Sequence, residues 1–92
     1  MAVGLDRALE LDPRVALRPE PFGALAYHYG NRRLVFLKHP DVVDVVRQLA
    51  KHETVADTLS SCEVAPSRWP AFLNALSNLE SSEVIRERHD AG

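Results

Sequence analysis

The sequence is short of most residues that build chemistry. It has one cysteine, one tryptophan, one methionine and four glycines in 92 residues. The lone Cys62 excludes an intramolecular disulfide and fits a reducing compartment. Gly4, Gly23, Gly30 and Gly92 are scattered, so no glycine-rich loop is present to cradle a phosphate. Nothing approaches the roughly 20 consecutive apolar residues of a membrane span. The leader "MAVGLDRALELDPR" carries charge every few residues, which argues against a signal peptide and for a cytoplasmic protein. A basic excess is also missing. The net charge is −2, weak evidence against a nucleic-acid binder.

What is present is apolar. Hydrophobic residues make up 46% and charged residues 26%, a balance that folds rather than staying disordered. A chain of this size buries roughly 60–65% of the surface it exposes unfolded, which supports one core and no deep cleft. No internal repeat or low-complexity stretch is evident. We expect residues 1–12 to be a flexible arm, 13–81 the domain and 82–92 a charged tail.

The order of elements follows from side-chain periods. "VALRPEPF" predicts a first strand from Val15 to about Arg18, ended by Pro19 and Pro21, which cannot donate to a ladder. "GALAYHYG" predicts a second. Gly30-Asn31 reads as a two-residue type II′ turn into the third strand, Arg32 to Lys38. That turn sets Tyr27 opposite Leu34 and Leu25 opposite Phe36. Leu25, Tyr27, Tyr29, Arg32, Leu34 and Phe36 then share one face; Ala24, Ala26, His28, Arg33, Val35 and Leu37 share the other. After Lys38 the period becomes helical, with Val42, Val45, Val46 and Leu49 at i, i+3, i+4 and i+7. Pro40 and Asp41 suit its first turn. "VVDVV" favours strand by propensity, but Asp44 and Arg47 fall on the opposite face, so helix is preferred. Thr54 and Asp57 predict a capped second helix. Ser67 is the predicted cap of a third, with Trp69, Phe72, Leu73, Leu76 and Leu79 as its apolar stripe. Three strands followed by three helices make an α+β domain of winged helix-turn-helix character.

No catalytic set can be assigned. His28, His39, His52 and His89 lack the i+3 or i+4 spacing of a paired site. Cys62 with His39 and His52 is an incomplete metal-ligand set, and Cys62 reads instead as a small apolar residue. Catalytic residues, cofactors and metals are all expected to be absent. Two binding readings remain. A winged-helix DNA-binding regulator would read bases with the third helix, but Arg68, Asn74 and Asn78 sit there beside Glu80, with little charge to neutralise phosphates. Alternatively, the third strand is an open edge for a peptide. It lacks proline, and Arg32, Arg33 and Lys38 flank it, ready to attract acidic residues. Those charges are equally consistent with gatekeepers beside a core made by Leu34 and Phe36. Trp69 and Phe72 are of a type found at binding hot spots, but their spacing with Leu73 and Leu76 is also that of a core stripe. An open edge can also pair with a second copy, giving a homodimer.

The stretch "RPEPFGALAYHYGNRRLVFLK" resembles the peptide chaperones of mycofactocin biosynthesis, and the likeness extends over about Leu11 to Leu79. More widely it is similar to the RiPP recognition elements, including the chaperones of pyrroloquinoline quinone biosynthesis. The resemblance implies a non-catalytic domain that binds the leader of a ribosomally made precursor peptide and presents it to a radical S-adenosylmethionine maturase. The leader would add as a strand to the third strand and lie against the third helix. Neither nucleic acid nor membrane is then an expected partner. Carried over by position, the peptide-binding residues are Arg32, Arg33, Leu34, Val35, Phe36, Leu37 and Lys38, together with Trp69, Phe72, Leu73 and Leu76. A single cysteine cannot hold an iron–sulfur cluster, in keeping with that role.

Overall fold

The computed structural model describes residues 4–88. Its elements are β1 (Leu9–Leu11), β2 (Val15–Glu20), β3 (Gly23–His28), β4 (Leu34–Leu37), α1 (Pro40–Gln48), α2 (Val55–Ser61), α3 (Trp69–Ser81) and β5 (Ile85–Glu87). The three predicted strands are β2, β3 and β4, an antiparallel sheet in that order with three helices on one side. The α+β class expected from the periods is the one found.

The predicted register holds: Tyr27 lies opposite Leu34 and Leu25 opposite Phe36. The predicted turn does not. Gly30 has no positive φ, whereas Arg32 has φ 61°, and the Arg32 N–H donates to His28 O at 2.7 Å. Residues 29–32 form a four-residue loop wound around a buried imidazole. The amides of Gly30 and Asn31 both donate to His28 Nδ1 at 3.0 Å, so Nδ1 carries the lone pair and Nε2 the proton. A Cβ on Gly30 would sit 2.7 Å from His28 Cε1; glycine is needed there for space rather than for φ. Gly23 is the opposite case. Its φ is +146° and a Cβ would meet Leu37 O at 2.1 Å, so only glycine fits where β3 begins under the end of β4.

The helices follow the predicted stripe. Val42, Val43, Val45, Val46 and Leu49 are all buried, so tertiary burial overrides the strand propensity of four valines. Thr54 caps α2, its hydroxyl accepting from the Asp57 amide at 3.1 Å. Ser67 does not cap α3. It lies in a 3-10 turn, Pro66–Arg68, that runs into the helix. Both α2 and α3 end in Schellman motifs: Val64 N donates to Leu59 O and Val84 N to Leu79 O, with Glu63 and Glu83 at positive φ.

The expected arm and tail are largely ordered. β1 and β5 pair antiparallel as a second, two-stranded sheet, with Leu9, Val84 and Ile85 each 1% exposed. Their charges are fastened rather than free. Arg7 grips Glu80 at 2.7 and 3.0 Å, Arg86 meets Glu10 at 2.8 Å, and the Arg88 guanidinium donates to the carbonyls of Leu49, His52 and Glu53. Apolar burial of Leu9 and Ile85 outweighs the solvation these charged ends would gain as free chains. The outermost parts of that arm and tail, residues 1–3 and 89–92, lie outside the described residues.

Candidate functional site

The third strand of the main sheet, β4, is an edge. Which of its backbone groups are open follows from one bond. His28 N–H donates to Arg33 O at 3.0 Å. Antiparallel ladders alternate, so Arg33, Val35 and Leu37 point their amides and carbonyls toward β3. Leu34 and Phe36 point theirs outward, with no strand beyond them. The same parity sorts the side chains. Leu37 is buried and Val35 half-buried on the helix side, while Leu34 and Phe36 are 55% and 59% exposed on the other side. Leu34 and Phe36 are therefore not core residues.

Between β4 and α3 runs an apolar trough. Its strand wall is Val35 to His39, its floor includes Val42, and its helix wall is Ala75, Asn78, Leu79 and Ser82; it encloses about 200 Å³. A second hollow, sharing His39, Val42, Ala75 and Asn78, prolongs it toward Ala71 and Asn74. The helix contributes Ala71, Ala75, Asn78 and Ser82 at i, i+4, i+7 and i+11, which is one stripe. Two alanines in that stripe leave room for another chain.

The predicted residues are only partly brought together here. Val35, Phe36, Leu37 and Lys38 line the trough. Arg32 and Arg33 are exposed at the loop end, off the trough but beside the open edge. On α3 the predicted stripe is the core stripe: Leu76 is 0% and Phe72 4% exposed. Phe72 reaches only the second hollow. Leu73 and Trp69 pack half-buried against the core, and the indole N–H donates to Val64 O at 2.9 Å. The trough-facing stripe lies one step round the helix, and the signal for it was the run of small and amide residues between the leucines.

Charge follows the same division. Arg68, the cation of the DNA-reader alternative, is paired with Asp41 at 2.9 Å and lies 5.1 Å over the Phe72 ring. Arg32, Arg33 and Lys38 make no ion pair among the described residues. Behind the loop, Asp12 is buried and accepts from the Arg14 amide at 2.8 Å and its guanidinium at 3.1 Å. The hydrogen bond from the Arg14 side chain, above all, holds the Asp12 carboxyl below the usual carboxylate range. Cys62 is half-buried, and burial followed by the nearby Asp44 pushes its thiol up, which suits a packing residue more than a nucleophile.

These observations define the class: a small α+β domain whose sheet has an open apolar edge beside a trough. The chain belongs to the Peptide chaperone MftB family, whose family model matches residues 8–86, a span taking in nearly all of both terminal strands. It is 45% identical over 80 residues to the peptide chaperone MftB of Mycobacterium ulcerans, covering 87% of this chain and 73% of that one. Identity to the peptide chaperone MftB of Mycolicibacterium smegmatis is 44% over 80 residues, 87% of this chain and 78% of the relative. That of Mycobacterium tuberculosis is 41% identical over 83 residues, 90% and 76%. No solved structure matches the chain. Among the described residues no helix is long and apolar enough to cross a membrane.

Proposed function

We propose that the protein is a non-catalytic, cytoplasmic peptide chaperone of mycofactocin biosynthesis. It binds the leader of the precursor peptide as a fourth strand on β4 and presents it to the radical S-adenosylmethionine maturase. The observation that carries this reading is the pair of outward-facing backbones at Leu34 and Phe36 beside the trough. The incoming strand takes its main-chain hydrogen bonds from these two residues. Alternate side chains of the leader then drop into the trough between Val35 and Ala75, and the others lie beside Leu34 and Phe36. Leader carboxylates are drawn to Arg32, Arg33 and Lys38. Tethering makes the encounter of maturase and peptide nearly intramolecular, at effective concentrations up to about millimolar.

Titration of isotope-labelled protein with the precursor peptide tests the reading. Amide shifts are expected at Leu34 to Lys38 and at Ala75, Asn78 and Ser82. Shifts confined to α2 and the β1–β5 sheet would overturn it.

A further inference from the structure

The three-stranded sheet has two faces, and the helices cover one. The uncovered face is strongly apolar. Its outward positions on β3 and β4 are Leu25, Tyr27, Leu34 and Phe36, with no charged residue among them. Phe22 and Tyr29 extend it at the two ends. Tyr29 is 66% exposed, Phe36 59%, Leu34 55% and Phe22 39%. An antiparallel sheet that turns one face to water ordinarily alternates to polar residues there. Here four of the chain's six aromatic side chains lie on the wet side. They are also preset. Phe22 meets Phe36 edge-on at 5.9 Å and Tyr27 meets Tyr29 at 4.8 Å, so little freedom is left to lose on contact.

The rim of this face is cationic in a chain of net charge −2. Arg32 and Lys38 stand at its ends without ion pairs among the described residues. Arg18 is 79% exposed on its side chain and only loosely paired, at 3.8 Å, with Glu20 on the same face, so three cations face one acid. By contrast Arg7, Arg14, Arg68 and Arg86, away from this face, each hold an acid at 3.1 Å or less.

We infer that this outer face docks a folded protein with an apolar patch rimmed by Asp and Glu, and that this protein is the maturase of the proposed function, on which the inference rests. Three strands about 4.8 Å apart make a broad, flat surface without a slot, which fits a folded partner better than one extended peptide. Aromatic centre and arginine rim are the composition of interface hot spots. A second copy fits less well. Two-fold pairing of this face would set one cationic rim against another. On this face the peptide reaches only the border at Leu34 and Phe36, which leaves Phe22, Leu25, Tyr27 and Arg18 to the partner, so the two bind together.

The experiment measures binding of the purified maturase and, separately, of the precursor peptide to three proteins: wild type, Phe22→Ser/Tyr27→Ser and Arg18→Glu. None of the three substituted residues lines the trough or supplies a backbone group to the open edge. Maturase affinity should fall at least tenfold in the aromatic variant and about threefold in the folded surface variant Arg18→Glu. Peptide affinity should stay within about twofold in both. Unchanged maturase affinity in both variants, or no maturase binding by wild type, overturns the inference. So does a wild-type dimer that the aromatic variant dissolves in sedimentation, which would assign the face to a second copy. Failure of the strand-addition reading shows itself differently, as wild-type protein whose β4 amides ignore the peptide.

Discussion

The two edges of the main sheet differ in one respect that decides their fate. On β2, the Tyr29 amide bonds to Arg14 O, so the parity turns Val15, Leu17 and Pro19 outward. The Val15 amide is already used by Asp12 O at 2.9 Å, and Pro19 has no N–H. Only Leu17 offers an outward donor. On β4 both outward residues, Leu34 and Phe36, keep donor and acceptor. A proline guards an edge only from an outward-facing position, and β2 has one there while β4 has none. Composition points the same way, since β2 carries Arg18, Pro19 and Glu20 where β4 is Leu-Val-Phe-Leu, and parity shows which backbone groups that leaves open.

The largest effects come from placing proline at either parity on β4. Val35 is bonded into β3, so Val35→Pro breaks the ladder and should cost about 3 kcal/mol or more. Thermal melting should then fall by well over about 10 °C in a domain this size. The change tests folding, not binding. Phe36→Pro removes an outward N–H instead. It should retain a cooperative melt and lose at least about tenfold in peptide affinity by calorimetry. Wild-type affinity in folded Phe36→Pro would sink strand addition on this edge.

The converse change opens the guarded edge. Pro19→Thr restores an outward donor beside Leu17 on β2. Self-association should rise, seen by sedimentation at high concentration, while stability moves by less than about 1 kcal/mol. A strictly monomeric Pro19→Thr would mean that something besides proline protects β2.

Asp12 secures the start of β2, and its depressed carboxyl gives the guarded edge a pH dependence. The folded value lies below the unfolded one of about 3.9. The stabilisation is therefore complete above that pH and is lost as pH falls through the lower folded value. Melting temperature should drop on acidification from pH 5 to pH 2. Asp12→Asn should show a flatter acid limb and be less stable at neutral pH by about 1–3 kcal/mol. An acid limb as steep as wild type in that variant would assign the dependence to other carboxylates.

Much of this comparison could be read from residues. The alternation of Ala24 to His28 and Leu34 to Leu37 fixes the faces, and the symmetric spacing around residues 30 and 31 fixes the register. The loop itself is not legible in the same way, because Gly30 looks like a turn glycine, whereas it makes room for the His28 ring. The spacing of Val42, Val45, Val46 and Leu49 named a helix despite four valines. The β1–β5 sheet was hidden for a different reason. Each strand is three residues long, their partners are about 75 positions apart, and Arg7, Glu10, Arg86 and Arg88 resemble solvated ends until they meet. On α3 the apolar stripe identifies the core, and the trough wall beside it is made of alanine, asparagine and serine, which hydrophobicity does not mark.

The smallest predicted effect sharpens the edge comparison by acting far from both edges. Glu63 follows α2 at φ 59°, the left-handed position a Schellman motif normally gives to glycine. A non-glycine residue there is strained by about 1 kcal/mol, and glycine gives back part of the relief through its looser unfolded chain. Glu63→Gly should therefore raise stability by a few tenths to about 1 kcal/mol, a gain of about 2–5 °C in melting temperature. Its peptide affinity should equal wild type. That equality separates two explanations of the β4 variants. If affinity instead rose with stability in Glu63→Gly, the loss in Phe36→Pro would report weakened folding rather than a missing hydrogen bond at the edge.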